Sequence, residues 1–271
     1  MVDGQSRRHK SALARVADGL SGGSGLRFRE SDGIATLVFD RVEVLNAIND
    51  CTFRDLGSRL ELLAADQRIK VVVLCGAGAH FSSGADIKEP IPSAATLLAT
   101  PIERHPAALL YRFAAPTVAA IRGYCLGGGL ELALATDIRI AAQSAIFGFP
   151  EIEWGLTTGW GGSVLLKRVI GRSLALDLIM TARRIDAAEA LRIGLVHRVV
   201  PDGSFEDVVQ ELSNKLRDAP SEAVRGVKRL LADENFEAEL KAEVETFAAV
   251  AHSEEARRRL RGFGGRVAPD P

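Results

Sequence analysis

The run Gly127-Gly128-Gly129-Leu130-Glu131-Leu132-Ala133-Leu134-Ala135 constrains this chain more than any other segment. Three glycines followed by leucines and alanines read as a helix that opens on glycine and heads into a core. Glu131 stands in the middle of that apolar helix. A carboxylate there is costly unless it is paired, protonated or used. A second glutamate, Glu151, follows in Phe147-Gly148-Phe149-Pro150-Glu151-Ile152. Two carboxyls in apolar surroundings near a helix N-terminus point to acid/base chemistry on a substrate whose oxygen is held by backbone amides.

The rest of the chain supplies an α/β frame for that helix. Leu26–Glu30 and Ile34–Asp40 read as two strands around the turn Ser31-Asp32-Gly33. A helix is predicted from Asp50, its expected N-cap, to about Asp66. Val71–Cys75 and Thr117–Ile121 are continuous apolar runs of strand length, the pattern of buried parallel strands. Leu109–Ala114 ends a helix, and Asp137–Ala142 and Ala145–Phe147 are short strands. Strand, helix and glycine turn in alternation predict βαβ units with right-handed crossovers. The four prolines between Pro90 and Pro106 predict a mobile surface segment able to act as a lid. From Gly162 onward the pattern is helical apart from a strand at Leu195–Val200, with a break at Pro220. Residues 1–25, ending in Ser21-Gly22-Gly23-Ser24-Gly25, read as a flexible extension, 26–200 as the core and 201–271 as a C-terminal helical region.

Composition excludes several classes of function. With 34 Lys+Arg against 35 Asp+Glu the net charge is −1, and aromatics are 6% of the 271 residues. Neither number suits a nucleic-acid surface or an anionic membrane. The most apolar stretch, 114–142, is interrupted by Arg122, Glu131, Asp137 and Arg139, so no membrane span is expected. Cys51, Cys75 and Cys125 are odd in number and show no CxxC spacing, which predicts a reducing, cytoplasmic setting and no zinc site. The five histidines are scattered, and no metal is expected.

The glycine triplet follows a strand and opens a helix, so its free N–H groups can receive an anion. Gly128 lies three residues before Glu131, on the same helix face. The turn Ser83-Gly84-Ala85-Asp86 is placed to offer a second amide, from Ala85, and two such donors make an oxyanion hole.

Four segments carry a resemblance. Phe81-Ser82-Ser83-Gly84-Ala85-Asp86-Ile87-Lys88, Gly123-Tyr124-Cys125-Leu126-Gly127-Gly128-Gly129-Leu130-Glu131-Leu132-Ala133, Phe147-Gly148-Phe149-Pro150-Glu151 and Gly159-Trp160-Gly161-Gly162 together resemble the enoyl-CoA hydratase/isomerase (crotonase) superfamily, over about residues 26–266. The resemblance implies a crotonase-like spiral of ββα units with a C-terminal helical trimerisation region, assembled as a homotrimer or a dimer of trimers. It implies Ala85 and Gly128 as the oxyanion-hole amides and Glu131 and Glu151 as the paired glutamates of the hydratases. Asn46 and Ala47 with Ser83, Asp86, Ile87 and Lys88 fall on the family's substrate and CoA contacts. Trp160, and Trp154 with it, put bulky rings by the acyl pocket. Phe263 and Arg266 fall where a neighbouring subunit touches the CoA adenine.

The reaction so implied is syn addition of water to a 2-enoyl-CoA thioester, with no cofactor beyond the CoA of the substrate. Glu131 as carboxylate deprotonates the water, and Glu151 as acid protonates the α-carbon. Glu153, nearby, is expected on the rim. Enoyl-CoA double-bond isomerisation, decarboxylation and thioester hydrolysis use the same anion site. A non-catalytic RNA binder on this scaffold would rest on Arg257-Arg258-Arg259 and Arg261, which a solvated helix face also explains.

Overall fold

The chain enters the fold through a hairpin written in residues 26–39. β1 (Leu26–Ser31) and β2 (Ile34–Phe39) pair antiparallel from Leu26↔Phe39 to Ser31↔Ile34. Asp32 and Gly33 between them both take positive φ, 53° and 76°, as a tight hairpin with right-handed twist requires. The structure, a computed structural model, describes residues 23–262 and 266–267. All but the last three residues of the expected N-terminal extension lie outside these, as does Phe263.

α1 (Asp50–Ala65) begins at the very residue expected to cap it. Asn49, not Asp50, is the N-cap, because its backbone is still extended while its Oδ1 accepts from the Thr52 amide at 2.8 Å. Asp50 is already in the first turn, where its charge suits the positive end of the helix. β3 (Val71–Gly76) follows, buried along its length as its apolar run predicts.

The proline-rich segment, expected as a mobile surface segment able to act as a lid, contains regular structure. β4 (Pro90–Ile91) is followed by α2 (Ala94–Ala99), capped by Ser93 Oγ, which accepts from the Thr96 amide. α2 packs on a later helix, and the turn at Ile102–Arg104 is tied to α1 by two Arg104–Glu61 hydrogen bonds of 2.6 and 2.9 Å. Pro90, Pro101 and Pro106 stand at or just before element starts, where a missing N–H costs nothing, and Pro92 lies between β4 and the cap of α2. Pro106 opens α3 (Pro106–Tyr111), which ends earlier than the sequence suggested.

β5 (Thr117–Ile121) is followed by β6 (Tyr124–Leu126), α4 (Gly128–Leu134), β7 (Ile138–Ala142) and β8 (Ile146–Gly148). Every residue of α4 is buried, as its composition demands. Arg139 of β7 is buried as well. Its guanidinium donates to the carbonyls of Leu195 (2.7 Å) and Thr136 (2.9 Å), which ties the exit of α4 to a distant part of the chain. α5 (Gly162–Ile170), α6 (Arg172–Thr181), β9 (Ile185–Asp186), α7 (Ala187–Arg192) and β10 (Arg198–Val200) complete the core. β9 was not expected; a two-residue strand leaves too little pattern to read. The C-terminal part contains α8 (Phe205–Arg217), α9 (Ser221–Leu231), α10 (Phe236–Ala251), α11 (Glu254–Gly262) and β11 (Arg266–Val267).

The main sheet has the order β1-β2-β3-β5-β7-β10 and is parallel from β2 onward. Both of its faces are covered. On one lie α1, α3 and α4; on the other, Val38, Val71, Val73, Val118 and Ile140 meet Phe205, Val209 and Leu212 of α8. Burial on two faces is why these strands read as unbroken apolar runs. Each such Val, Leu or Ile contributes about 1.5–3 kcal/mol when fully buried.

A second, smaller sheet positions the chemistry. β6 and β8 are parallel neighbours in the register Leu126↔Gly148, and β9 runs antiparallel beside β8. On the other side of β6, Ser82 bridges Cys125, and beyond it Ala85 bridges Ile48, both in parallel sense. The segments carrying Ala85, Gly128 and Glu151 thus run side by side and leave the sheet at the same end.

Candidate active site

Each glycine of the triplet has a different neighbour pressed against it. A β-carbon on Gly127 would stand 2.5 Å from Glu151 Oε1, one on Gly128 2.4 Å from the Trp160 ring, and one on Gly129 2.8 Å from Ser82 Cβ. Gly127 also takes φ 48°, which lets the chain turn from β6 into α4. The triplet is therefore a contact surface as well as a helix start. Gly128→Ala is expected to push Trp160 off the helix and lower turnover on the order of 100-fold. Adding Trp160→Ala restores room for the methyl and should recover part of that loss; steady-state kinetics on the single and double variants check it.

Glu131 points from α4 into the loop before α5. Its Oε2 accepts from the Trp160 amide at 2.6 Å and the Gly162 amide at 2.7 Å, whereas Oε1 has only a long 3.5 Å contact with the Gly159 amide. Burial, with Glu243 and Glu151 nearby, drives its carboxyl well above the usual range, and the two amides pull it back toward the ionised form. Glu151 opens a 3₁₀ turn, Glu151–Trp154, directly after β8. It is buried, its Oε2 has no hydrogen-bond partner, and burial pushes its carboxyl up to about 8. Two acids of the same type thus have unlike settings, one gripped by amides and the other bare.

The amides expected to receive an anion are in place. Neither Ala85 N nor Gly128 N has a hydrogen-bond acceptor among the described residues. The Gly84 turn lies against Gly128: a β-carbon on Gly84 would be 3.3 Å from Gly128 N. Ser82 Oγ holds this turn, donating to the Asn46 carbonyl at 2.8 Å and accepting from the Gly84 amide at 3.1 Å. Ala85 is exposed and Gly128 buried, so the pair spans the boundary between solvent and core.

The sequence matches the enoyl-CoA hydratase/isomerase family over residues 29–270. The chain belongs to that family. It is 36% identical over 210 residues to a short-chain-enoyl-CoA hydratase of Clostridium acetobutylicum, which covers 74% of this chain and 79% of that one. It is 34% identical over 243 residues to the 2,3-dehydroadipyl-CoA hydratase of Escherichia coli, covering 88% of this chain and 94% of that one. The crystal structure of an enoyl-CoA hydratase from Mycobacterium avium subsp. paratuberculosis superimposes with a TM-score of 0.81 at 28% identity, over 91% of this chain and 98% of the other. The fold is therefore the crotonase fold expected from the motifs.

Within this family member the remaining predicted residues divide. Ser83, Ile87 and Lys88 lie half-buried or exposed in the turn around Ala85, and Ala47 lines the loop beside it. Asn46 departs from expectation, because its side chain is turned inward and is 1% exposed. Its Nδ2 donates to the carbonyls of Ala77 (2.9 Å) and His80 (2.7 Å), and its Oδ1 accepts from the Arg41 amide at 3.0 Å. That side chain holds the loop, with both of its amide hydrogens committed to backbone carbonyls. The Asp86 carboxylate is likewise engaged, by Arg41 at 2.8 Å. Arg266 pairs through its backbone with Pro90 in the β11–β4 ribbon. Phe263 lies outside the described residues.

The two tryptophans, expected together, are apart. Trp160 lies over Gly128 and against Phe53, with ring centroids at 4.4 Å, and Phe53 in turn meets His105 edge-on at 5.2 Å. Trp154 packs instead in a separate cluster with Leu156, Phe247 and Leu260 under α11. Glu153 is exposed, as a rim residue should be. The reason is the 3₁₀ turn, which takes it off the face of Glu151 that an alternating strand would have given it.

Sequence reasoning missed one buried acid. Glu243 of α10 is 7% exposed and accepts from the amides of Gly161 (2.8 Å) and Val164 (3.1 Å) and from Ser163 Oγ. The signal was available: Glu243 falls on the apolar stripe Phe236, Leu240, Val244, Phe247 of its helix, the same anomaly that singled out Glu131.

Proposed function

We propose that this chain is an enoyl-CoA hydratase, adding water in the syn sense across the double bond of a 2-enoyl-CoA. One observation carries the reading: two buried carboxyls, one gripped by two amides and one whose Oε2 has no partner, share a site with two amides that have no acceptor among the described residues. The thioester oxygen accepts from Ala85 and Gly128. Glu131, its Oε2 held by two amides, uses Oε1 to take a proton from water. The water oxygen bonds to the β-carbon, and the π electrons move toward the thioester oxygen as an enolate. Glu151, protonated at neutral pH because burial outweighs the hydrogen bond from its own backbone, gives its proton to the α-carbon. Glu131 ends protonated and Glu151 ionised, and exchange with solvent resets the pair. The oxyanion donors contribute about 3 kcal/mol of barrier each.

Lys88, exposed beside the oxyanion turn, suits the CoA phosphates, and Phe263 and Arg266 are proposed to reach the adenine of a neighbouring subunit's substrate. No cofactor beyond that CoA is needed. Disappearance of the enoyl-thioester absorbance of crotonyl-CoA tests the reading. A stable band at high enzyme concentration rejects short-chain hydration. A cytoplasmic setting is supported by the three cysteines, all free. No helix among the described residues is long and apolar enough to cross a membrane.

Assembly as a homotrimer or a dimer of trimers is part of the proposal. The apolar face of α9 supports it: Leu230 is 85% and Leu231 77% exposed, and no residue of that helix is buried in the single chain. A bare stripe of this kind marks a contact surface. Leu230→Glu combined with Leu231→Glu is expected to shift the mass in light scattering from trimer to monomer. Unchanged mass removes α9 from the interface.

A further inference from the structure

We propose that Glu243 is a positioning residue for hydration, fixing the Gly159–Gly161 loop and the first turn of α5 from behind so that their amides grip Glu131. The inference rests on the hydratase reading for its kinetic consequence and on the loop alone for its structural one. Successive groups of the loop face opposite ways. Trp160 N donates to Glu131, Gly161 N to Glu243, Gly162 N to Glu131 again, then Ser163 Oγ and Val164 N to Glu243. The loop is zipped between two buried carboxylates from different parts of the chain, α4 and α10.

Packing holds the segment at the Trp160 ring, against Phe53 and Gly128, and Gly162–Val164 are already the first turn of α5. Gly159, Gly161 and Gly162 give it backbone freedom, with Gly161 at φ 102°. The remaining side-chain tie is Thr158 Oγ1, which accepts from the Ser163 amide at 3.2 Å. Without Glu243 the Gly161 and Val164 amides lose their acceptor in a buried place, and the loop must turn to find others. That turn takes the Trp160 and Gly162 amides from Glu131. Glu243 touches neither substrate nor reacting atoms and acts through Glu131.

The charges around Glu243 do not offer it a different partner. On α5, Arg168 is engaged by Asp233 and Glu239, and Lys167 by Glu239. At the N-cap of α3, burial keeps His105 neutral by pushing it down to about 4. Glu131 and Glu151 are the acids that sense Glu243.

A double-mutant cycle on the full-length enzyme tests this, with crotonyl-CoA as substrate and wild type, Glu243→Gln, Glu131→Gln and the double variant compared. Gln keeps the volume of Glu243 but cannot accept from both sides of the loop. Glu243→Gln is expected to lower kcat on the order of 10- to 100-fold, with KM within about threefold of wild type. In the Glu131→Gln background the same change should cost nothing further. An additive loss, or an unchanged kcat in Glu243→Gln, overturns the proposal. If the Gln variant unfolds, Glu243→Asp repeats the cycle. Hydrogen exchange at the Trp160 and Gly162 amides, which bond Glu131 and not Glu243, needs no activity. Faster exchange in Glu243→Gln supports the zip and unchanged exchange overturns it, even should wild type fail to hydrate crotonyl-CoA and sink the hydratase reading.

Discussion

Glu131→Gln is expected to lower kcat for crotonyl-CoA hydration on the order of 1,000-fold while KM stays close to wild type. The substitution is close to isosteric. A glutamine Oε1 can still accept from the Trp160 and Gly162 amides, so the loop keeps its place. What is lost is the second oxygen, replaced by an amide that cannot take a proton from water. The attacking oxygen then lacks a base at the moment it bonds to the β-carbon. The oxyanion donors remain, so binding of the thioester is preserved. Rate normalised to the amount of folded enzyme separates this from a folding defect, which would reduce active enzyme without altering the activity per folded molecule. A Gln variant within about threefold of wild-type kcat would remove Glu131 from the proton path.

Glu151→Gln is expected to be comparably inactive, on the order of 100- to 10,000-fold, and at the same time more stable at neutral pH. The stability follows from linkage. The folded carboxyl sits at about 8, against 4.5 for an unperturbed glutamate. Above pH 4.5 the unfolded chain releases this proton and the folded chain does not. Folding stability therefore falls as pH rises between about 5 and 8, by up to about 3 kcal/mol from this one group. Glu151→Gln abolishes that slope. Denaturant midpoints across this pH range show it as a flattened profile, and a slope equal to wild type would mean Glu151 is not held neutral by burial. The same proton governs the rate: turnover in wild type should decline as pH passes about 8, where Glu151 can no longer deliver an acid proton.

How much of this was legible in the sequence depends on how local each signal is. Glu131 could be read because a lone acid in an apolar helix has few explanations. The hairpin at Asp32-Gly33 and the runs at Val71 and Thr117 could be read because turn chemistry and two-sided burial act over a few residues. The long-range pairings were not readable. Glu243 approaches the loop before α5 from 79 to 82 positions away, and only the folded chain brings the two together. Asn46 was read as a substrate contact because it stands in a motif; its inward side chain depends on where the Ala77 and His80 carbonyls fall. The resemblance puts Trp154 and Trp160 together by the acyl pocket, and the 3₁₀ turn after Glu151 sends them to different clusters. The proline segment misled because prolines at element starts and prolines in open loops look alike in a sequence.

The central claim is that this site adds water, and the most direct measurement is the fate of the solvent oxygen. Incubating crotonyl-CoA with wild-type enzyme in water enriched in heavy oxygen and weighing the thioester by mass spectrometry reads it out. The account predicts a product heavier than substrate by one molecule of labelled water, with the label in the β-hydroxyl, and almost none of it from Glu131→Gln or Glu151→Gln. A product of unchanged mass with a shifted double bond, or label appearing in a free carboxylate, would contradict it.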